Sequence, residues 1–474
     1  MTRFLPRTKF LPRAAVMLRG AALLAALSQF AQAQETALDR YVRKPDPAYK
    51  YSVVKTIPGP NYTAYVIDMT SQQWRSAAEV DHPVWKHWMT IIRPDDVRTT
   101  TAFLAVGGGS VTAAAPERPD AMALEVALTT HSVSASLSGV PNEPVTFAGE
   151  TKTRNEDAII AYSWVKYLQT GDETWPLRLP MTKAVVRAMD TVQSFLITPL
   201  GGGVKVEHFF VAGASKRGWT TWTTAAVDKR VLGVSPIVID VLNMRKSLDH
   251  HYQAYGEYAE SLNDYKVSHL VDMADTAEYA ALMKIEEPYS YLNRYTMPKY
   301  IVNAAGDQFF LPDSSQFYFG ELPGEKYLRY IPNTDHSLKG SDAVQSIAAY
   351  YGAVNEGRPR PKFSWSFEKD GSIKVTCTDK PSEVLLWAAT NPNKRDFRLA
   401  TLGPAYKSTV LTADGNTYTA RIDKPAKGWT AFFVELTFPS GGKYPFKFTT
   451  AVRVTPDTLE YAKPATNGKI SDLR

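Results

Sequence analysis

Residues 209–219 read FFVAGASKRGW, an apolar run that stops at a glycine and is followed two residues later by a serine. An apolar run of this kind predicts a strand buried on both faces of a sheet. A helical pattern continues to Asp228, so Ser215 is expected on a sharp turn between a strand and a helix. Gly213 and Gly218 would permit such a turn, because glycine has no side chain to collide with neighbouring backbone. The stretch therefore predicts a serine hydroxyl that projects from the end of a buried strand, although an ordinary strand–turn–helix corner has the same pattern.

Strand-like and helix-like segments alternate from about residue 50 to residue 335. The predicted strands are 62–69, 87–92, 101–106, 208–212, 231–240, 300–304 and 327–331. Pro236 weakens the case for 231–240, because proline has no N–H for a sheet. The alternation predicts a mostly parallel sheet with helices on both faces. Residues 246–295 interrupt it with Tyr, His, Glu and Met at helical spacing, which indicates a helical insertion between two strands.

The pattern changes after Gly357, where short alternating strands such as 363–367 and 372–377 follow one another without helices. This pattern predicts a separate β-sandwich of about a hundred residues. Gly357–Pro361 is expected to be the linker. The predicted divisions are a signal peptide at 1–33, an α/β domain at 34–356, a β-sandwich domain at 357–460 and a tail at 461–474.

The 474-residue chain has 54 Lys and Arg against 48 Asp and Glu, a net charge of +6. The first 33 residues contain no acidic residue and five basic ones, Arg3, Arg7, Lys9, Arg13 and Arg19. An apolar stretch follows, and Ala31-Gln32-Ala33 suits a Sec-type signal peptidase that cuts after Ala33. The uninterrupted apolar part, residues 20–27, is too short to span a bilayer, which disfavours the alternative of a membrane anchor.

Loss of that segment leaves 49 basic residues against 48 acidic ones, a nearly neutral chain. The basic bias therefore does not indicate a nucleic-acid partner. We expect a periplasmic or secreted protein without stable membrane insertion. Its oligomeric state is not defined by the sequence.

Cysteine and histidine usage limits the metal and redox chemistry. Cys377 is the only cysteine, which excludes an intramolecular disulfide and a Cys-based zinc or iron–sulfur site within the chain. His250-His251 suggests a metal at first sight, yet no cysteine or spaced set of carboxylates completes a site. These two histidines are expected on the surface of the insertion or in a pocket wall. We expect neither a metal nor a cofactor.

A nucleophilic serine on this kind of fold needs an acid and then a histidine after it in the chain. Of the eight histidines, only His336 lies beyond residue 269, in a polar loop after the strand 327–331. The acid should follow the preceding strand, which favours Asp307 in the segment GDQFFLP at 306–312. Asp240 also ends a predicted strand and remains the alternative acid. Asp313 is a candidate cap of a following helix, with Ser314 and Ser315 as equal candidates.

The expected oxyanion donors are two backbone N–H groups. One is that of Lys216, and the other belongs to the glycine loop Gly107–Gly109, where Gly108 is the candidate. The glycines are equally compatible with an ordinary turn. Lys216 and Arg217 flank the serine, so either they favour an anionic substrate group or Arg217 pairs with an acidic neighbour. Trp219 is a candidate substrate contact and also a candidate core residue.

Four stretches together resemble the PhoPQ-activated pathogenicity-related protein family, namely residues 213–219, 306–314, 333–337 and 155–164. The resemblance extends through most of residues 40–460. It implies an α/β-hydrolase fold with a helical lid insertion, followed by the C-terminal β-sandwich domain. It also implies an exported protein linked to virulence or envelope response in some bacteria. Relatives of similar architecture include esterases and peptidases, and the resemblance brings no known substrate.

Two functional hypotheses follow. The first is a serine hydrolase that cleaves an ester or amide bond of a small-molecule or peptide substrate through Ser215, His336 and Asp307. The second is a non-catalytic envelope or secreted binding protein on the same scaffold. The complete and correctly ordered set of serine, acid and histidine favours the first, because a binding protein has no need of all three.

Overall fold

The computed structural model describes residues 1–2 and 35–474, so the predicted cleavage site after Ala33 and nearly all of the signal peptide lie outside the described residues. The first described helix is α1 (Ala37–Arg43). Thr36 caps it through reciprocal hydrogen bonds with Asp39, and its buried residues Leu38 and Val42 join the main hydrophobic core. Among the described residues, no helix combines the length and apolar character needed to cross a bilayer.

A 14-stranded sheet runs through the molecule. The strands of the first 335 residues are β1 (Lys50–Gly59), β2 (Tyr62–Gln73), β3 (Val84–Pro94), β4 (Thr101–Val106), β5 (Ser134–Leu137), β6 (Val145–Thr146), β7 (Thr153–Arg154), β8 (His208–Ala214), β9 (Val231–Ile237), β10 (Lys299–Ala304) and β11 (Lys326–Ile331). All of them except β6 and β7, which form a small separate pair, belong to this sheet.

The order across this part of the sheet is β1-β2-β3-β5-β4-β8-β9-β10-β11. From β5 onwards neighbouring strands are parallel, whereas β3 is antiparallel to both β2 and β5. The carboxyl ends of β4, β8, β10 and β11 therefore meet at one edge, where parallel sheets bind their ligands. The strand alternation predicted this mostly parallel sheet, and the arrangement is that of the α/β-hydrolase fold which the family resemblance implied.

Helices cover both faces of the sheet. Those of this part of the chain are α2 (Ala121–Thr130), α3 (Asp157–Thr170), α4 (Arg178–Leu196) and α5 (Lys216–Val227), with α9 (Ala343–Asn355) after β11. Phe209 and Val211 of β8 pack into one hydrophobic cluster, and Phe210 and Ala212 pack into another. β8 is therefore buried on both faces, as its sequence predicted.

A helical lid lies between β9 and β10, where the insertion was predicted. It contains α6 (Met244–Tyr255), α7 (Asn263–Val267) and α8 (Ala277–Glu286), joined by short 3₁₀ turns. β9 itself ends at Ile237, three residues earlier than the sequence pattern suggested. Pro236 lies within β9 opposite Gly213 of β8, so a proline is accommodated inside the sheet.

The C-terminal part consists of strands with one short helix, α10 (Leu399–Leu402). Its strands are β12 (Phe363–Phe367), β13 (Ile373–Cys377), β14 (Glu383–Asn391), β15 (Lys407–Val410), β16 (Thr417–Ala420), β17 (Trp429–Phe438), β18 (Phe446–Thr449) and β19 (Arg453–Thr455). β12, β13 and β16 form one sheet, and Ile373 of β13 shares a hydrophobic cluster with Phe432 of β17. The other strands belong to the central sheet, because β18 pairs with β11 through Leu328 and Thr449. The two parts of the chain thus share a sheet, a junction that the sequence pattern did not predict.

Candidate active site

Ser215 occupies a strained turn between β8 and α5. Its φ of +58° and ψ of −128° lie where residues with side chains are rarely found. The Ser215 N–H donates to the carbonyl of Ile237 at 2.8 Å, and its carbonyl accepts from the N–H of Trp219 at 3.0 Å. Two neighbouring elements thereby hold the turn, and the serine lies at the carboxyl edge of the sheet.

Two glycines make this turn sterically feasible. A Cβ atom on Gly213 would lie 2.7 Å from the carbonyl oxygen of Arg217, and one on Gly218 would lie 2.7 Å from the carbonyl oxygen of Gly213. Both distances are too short for a side chain. Gly218 therefore performs the packing role that the commoner G-x-S-x-G pattern gives to the residue at Arg217.

His336 and Asp307 come together at the ends of β11 and β10. The Nδ1 atom of His336 lies 2.8 Å from Oδ2 of Asp307, a carboxyl that is 4% exposed. The backbone N–H of Phe309 donates to Asp307 Oδ1 at 2.7 Å, and that of His336 donates to the side chain of Gln308 at 3.1 Å. The loop after β10 therefore fixes both members of the pair.

The other ring nitrogen of His336 has no such contact. Within residues 1–2 and 35–474, no protein group forms a hydrogen bond with His336 Nε2, although this atom is buried. A buried polar atom without a partner is unusual and often marks a group kept for chemistry. With Nδ1 held by a carboxylate, Nε2 is the nitrogen that can accept a proton from a hydroxyl.

Asp240, the alternative acid, has different contacts. The hydroxyl groups of Tyr318 and Tyr330 donate to its two oxygens at 2.6 and 2.5 Å. Burial raises the pKa of Asp240 to about 7, against the effect of these two hydrogen bonds. The structure thus brings Asp307, and not Asp240, to His336.

The predicted oxyanion donors lie beside the turn at Ser215. Lys216 is the first residue of α5, where a backbone N–H has no partner within the helix. Gly107 and Gly108 line a shallow depression together with Gly213 and Ala214. In the described part of the chain, the N–H of Gly108 takes part in no hydrogen bond. The loop itself is fixed, because the carbonyl of Gly108 accepts from the N–H of Gly139 at 3.0 Å.

The guanidinium of Arg217 pairs with acidic neighbours. Of the two alternatives for this residue, an anion-binding role and a pairing with an acidic neighbour, the structure has the pairing. The guanidinium contacts Glu156 at 2.8 and 2.9 Å and Glu143 at 3.3 Å. It also packs so closely on Gly108 that a side chain there would require the guanidinium to move. Arg217 therefore connects α5 to the glycine loop and is not free to bind an anionic substrate.

The two glutamates beside Arg217 differ in their acidity. Burial and the neighbouring charge of Glu156 raise the pKa of Glu143. Burial acts in the same direction on Glu156, yet the hydrogen bond from Arg217 and the charge of Lys216 lower its pKa overall. Lys216 Nζ lies 2.5 Å from Glu156 and 3.1 Å from Asp157. The side chains of Lys216 and Arg217, which follow Ser215, thus hold the start of α3 in place.

A cavity of about 60 Å³ begins at Ser215 and extends beneath the lid. Its walls come from α5, the lid and the loop after β10, and include Ser215, Trp219, Leu262, Leu270, Tyr279 and Phe309. Trp219 is fixed there by a hydrogen bond from its Nε1 to the carbonyl of Glu286 at 2.6 Å. The cavity is strongly apolar, as ligand pockets are.

The expectation for His250 and His251, on the surface of the insertion or in a pocket wall, is wrong. Both are buried, and neither lines the cavity beside Ser215. His250 Nε2 lies 3.0 Å from Asp313, which also pairs with Arg395 at 2.6 Å. Asp313 therefore does not cap a helix through its side chain. The described residues contain no group of three or more potential metal ligands.

The model of the PhoPQ-activated pathogenicity-related protein family matches residues 38–398. The chain belongs to this family. A Dictyostelium discoideum protein described as autocrine proliferation repressor protein A is 38% identical to it over 465 residues. That alignment covers 92% of this chain and 93% of the relative.

Solved structures to which this chain is similar include two esterases. Acetyl xylan esterase 1 from Thermoanaerobacterium sp. JW/SL YS485 aligns with a TM-score of 0.44 and 14% identity, over 67% of this chain and 91% of that chain. The glucuronoyl esterase from Solibacter usitatus aligns with a TM-score of 0.40 and 13% identity, over the same shares of the two chains.

Several residues around the site were given no role from the sequence. Glu143 and Glu156 hold Arg217, Asp157 holds Lys216, and the ring of Phe309 lies 4.4 Å from that of His336. Glu156 and Asp157 fall within the stretch 155–164 that carries part of the family resemblance. Phe309 falls within the stretch 306–314 that also carries it, so the resemblance was the available signal for three of them, whereas Glu143 had none.

Cys377, the only cysteine, is remote from this chemistry. It lies in β13, buried, and burial raises the pKa of its thiol to about 11. A thiol of that kind is not a nucleophile at neutral pH.

Proposed function

We propose that this protein is an exported serine hydrolase, in which Ser215 is the nucleophile, His336 the general base and acid, and Asp307 the residue that orients His336. The contact that carries the proposal is the 2.8 Å pair of His336 Nδ1 and Asp307, which leaves His336 Nε2 without a protein partner among the described residues. The strained turn at Ser215 and the order serine, acid, histidine along the chain support the same roles.

The proposed reaction is acyl transfer to Ser215 and then to water. Ser215 Oγ attacks the carbonyl carbon of an ester or amide while His336 Nε2 takes the hydroxyl proton. The N–H groups of Lys216 and Gly108 stabilise the oxyanion of the tetrahedral intermediate. His336 then returns the proton to the leaving group, and Asp307 stabilises the imidazolium in between. A water molecule activated by His336 releases the acyl group in the second half of the reaction.

Replacement of the nucleophile tests this proposal. We expect Ser215→Ala to lose labelling by a fluorophosphonate probe and to hydrolyse p-nitrophenyl acetate at least about 10³-fold more slowly than the wild type. Ser337→Ala, a change of the same size in the loop of His336, should retain both properties. Equal labelling of wild type and Ser215→Ala would contradict the proposal. A folded wild type that does not react while a partner co-purifies would favour the non-catalytic binding protein.

Export is a separate part of the proposal. The basic first segment, its apolar stretch and Ala31-Gln32-Ala33 support cleavage after Ala33. Cleavage there keeps the Thr36–Asp39 cap of α1, the first described element. N-terminal sequencing of the protein from a periplasmic or culture fraction should give Gln34 as the first residue. An intact N-terminus found only in the cytoplasm would contradict export.

A further inference from the structure

We propose that the cavity beside Ser215 is an acyl pocket, and that the substrates are esters or amides of short, uncharged aliphatic acids. This inference rests on the proposed function, because it assumes that Ser215 is acylated. It adds which side of the scissile bond enters the cavity, how large that group is and what charge it carries.

The positions of His336 and Phe309 indicate the side of the bond. The leaving group must lie near His336, which protonates it. His336 does not line the cavity, whereas Phe309 does, and the Phe309 ring packs on the imidazole at 4.4 Å. Phe309 therefore forms the part of the cavity wall that contacts the histidine. The leaving group remains on the outer side of this ring, and the acyl group is the part that enters the cavity next to Ser215.

The volume of the cavity limits the length of the acyl group. A cavity of about 150 Å³ is known to admit benzene. The cavity beside Ser215 is about 60 Å³, well below that size. It therefore accommodates an aliphatic acyl group from acetyl to about butyryl, and it excludes a benzoyl ring or a fatty acyl chain.

The charges around the cavity determine the polarity of the acyl group. Of the described residues that line it, Asp157 and Lys216 alone carry a formal charge. They pair with each other at 3.1 Å, and the Tyr265 hydroxyl donates to Asp157 at 2.9 Å. Neither charge is free to bind an opposite charge on the substrate. The burial of a charged group without a partner is costly, so succinyl and free aminoacyl groups are disfavoured.

The test is a chain-length series with p-nitrophenyl esters from acetate to decanoate, together with the benzoate and the hemisuccinate. We expect kcat/KM to be highest at two to four acyl carbons and to be at least about tenfold lower for octanoate, benzoate and hemisuccinate. A second series, of acetate esters with increasingly long alcohols, should change kcat/KM far less, because the alcohol lies outside the cavity. This series needs only the wild type.

Two leucines of the lid give a matched pair of variants. Leu270 lines the cavity, whereas Leu282 is equally buried in the lid and does not. Leu270→Ala should shift the optimum to longer acyl chains, with a gain of about fourfold for each methylene newly accommodated. Leu282→Ala controls for a general loosening of the lid and should leave the optimum unchanged.

The outcomes separate this inference from the proposed function. Three results would overturn the acyl-pocket inference alone, provided that the fluorophosphonate labels Ser215. They are an optimum at six or more acyl carbons, a preference for the hemisuccinate, and equal shifts of the optimum in both leucine variants. Absence of labelling and of hydrolysis of every ester would overturn both. An optimum at two to four carbons that Leu270→Ala alone lengthens supports the inference.

Discussion

Asp307 and Asp240 follow adjacent strands of the same sheet, and their hydrogen-bond partners assign them different tasks. Asp307 lies 2.8 Å from His336 Nδ1 and accepts a backbone N–H as well. Asp240 accepts two tyrosine hydroxyls and has no contact with His336. A carboxylate that stabilises an imidazolium must touch it, so only Asp307 is placed for that role.

Paired asparagine substitutions distinguish the two carboxyls. Asp307→Asn should lower kcat for p-nitrophenyl acetate by about 10⁴-fold, because the amide favours the wrong imidazole tautomer. Asp240→Asn should retain most of the wild-type kcat at pH 7. A larger loss in Asp240→Asn than in Asp307→Asn would assign the role of acid to Asp240.

The buried carboxyl of Asp240 also predicts a dependence of stability on pH. Burial, helped by the charges of Asp307 and Asp313, raises its pKa from 3.8 to about 7. The folded state therefore holds a proton that the unfolded state has released between about pH 4 and pH 7. This contribution is fully present below about pH 4 and is lost as the pH rises through 7, at a cost of up to about 4 kcal/mol.

Thermal unfolding of Asp240→Asn measures this contribution, because an asparagine does not titrate. The Tm of the wild type relative to that of Asp240→Asn should fall by several degrees between pH 4 and pH 8. A difference in Tm that stays constant over this range would show that Asp240 is ionised in the folded protein.

At the scale of elements, a buried ion pair connects the lid to α4, and the arginine of that pair also contacts α5. Glu286 is the last residue of α8, and Arg178 is the first residue of α4. Their side chains are fully buried, with 3.4 Å between Arg178 Nε and Glu286. Arg178 also donates to the carbonyl of Lys216 and to the hydroxyl of Thr220, both at 2.8 Å. The lid thereby supports the peptide next to the proposed oxyanion donor.

This tie predicts a positioning role for Arg178. The double variant Arg178→Met/Glu286→Gln removes both buried charges together, so that no unpaired charge remains. We expect kcat to fall by about ten- to hundredfold, the effect of one hydrogen bond to a charged group, with a smaller change in KM. Thr220→Val removes the hydroxyl that accepts from Arg178 and donates to the Lys216 carbonyl at 2.9 Å, yet it keeps the ion pair, so it should lower kcat less than the double variant does. A change in KM alone would show that the pair merely shapes the substrate pocket.

At the scale of the whole molecule, the C-terminal strands and the central sheet form one continuous structure. β18 pairs with β11, and the rings of Tyr327 and Phe448 lie 4.2 Å apart across that junction. Arg329 of β11 pairs with Glu435 of β17, and both side chains are buried. Arg329 also contacts Asp342 at 3.0 Å. If either the C-terminal strands or the α/β part unfolded, the other would lose the side chains that cover its buried residues.

We therefore expect a single cooperative thermal transition in scanning calorimetry. Glu435→Gln should move the whole transition to lower temperature. Loss of a buried partner costs about 3–5 kcal/mol in general, and roughly 2–3 kcal/mol is expected here because Arg329 keeps Asp342. Arg421→Gln, which breaks an exposed pair in the same part of the chain, should have little effect. Two separate transitions, only one of which shifts in Glu435→Gln, would indicate that the two parts of the chain unfold independently.

The sequence revealed features that depend on local pattern. The buried strand β8, the glycines around Ser215 and the positions of Asp307 and His336 after their strands were all predicted, because apolar runs and chain order carry that information. The contact of His250 with Asp313 joins residues 63 positions apart and leaves no local pattern. The junction of β18 with β11 joins residues that are far apart in the chain, such as Leu328 and Thr449, and could not be predicted for the same reason.

Location of the reactive side chain by mass spectrometry tests the hydrolase mechanism directly. The protein is treated with a fluorophosphonate, digested and mapped for the modified residue. We predict one adduct per chain, on Ser215, and at least about tenfold slower labelling of His336→Ala, which lacks the general base. A folded protein with Ser215 unmodified, or with the adduct on another serine, would contradict the mechanism.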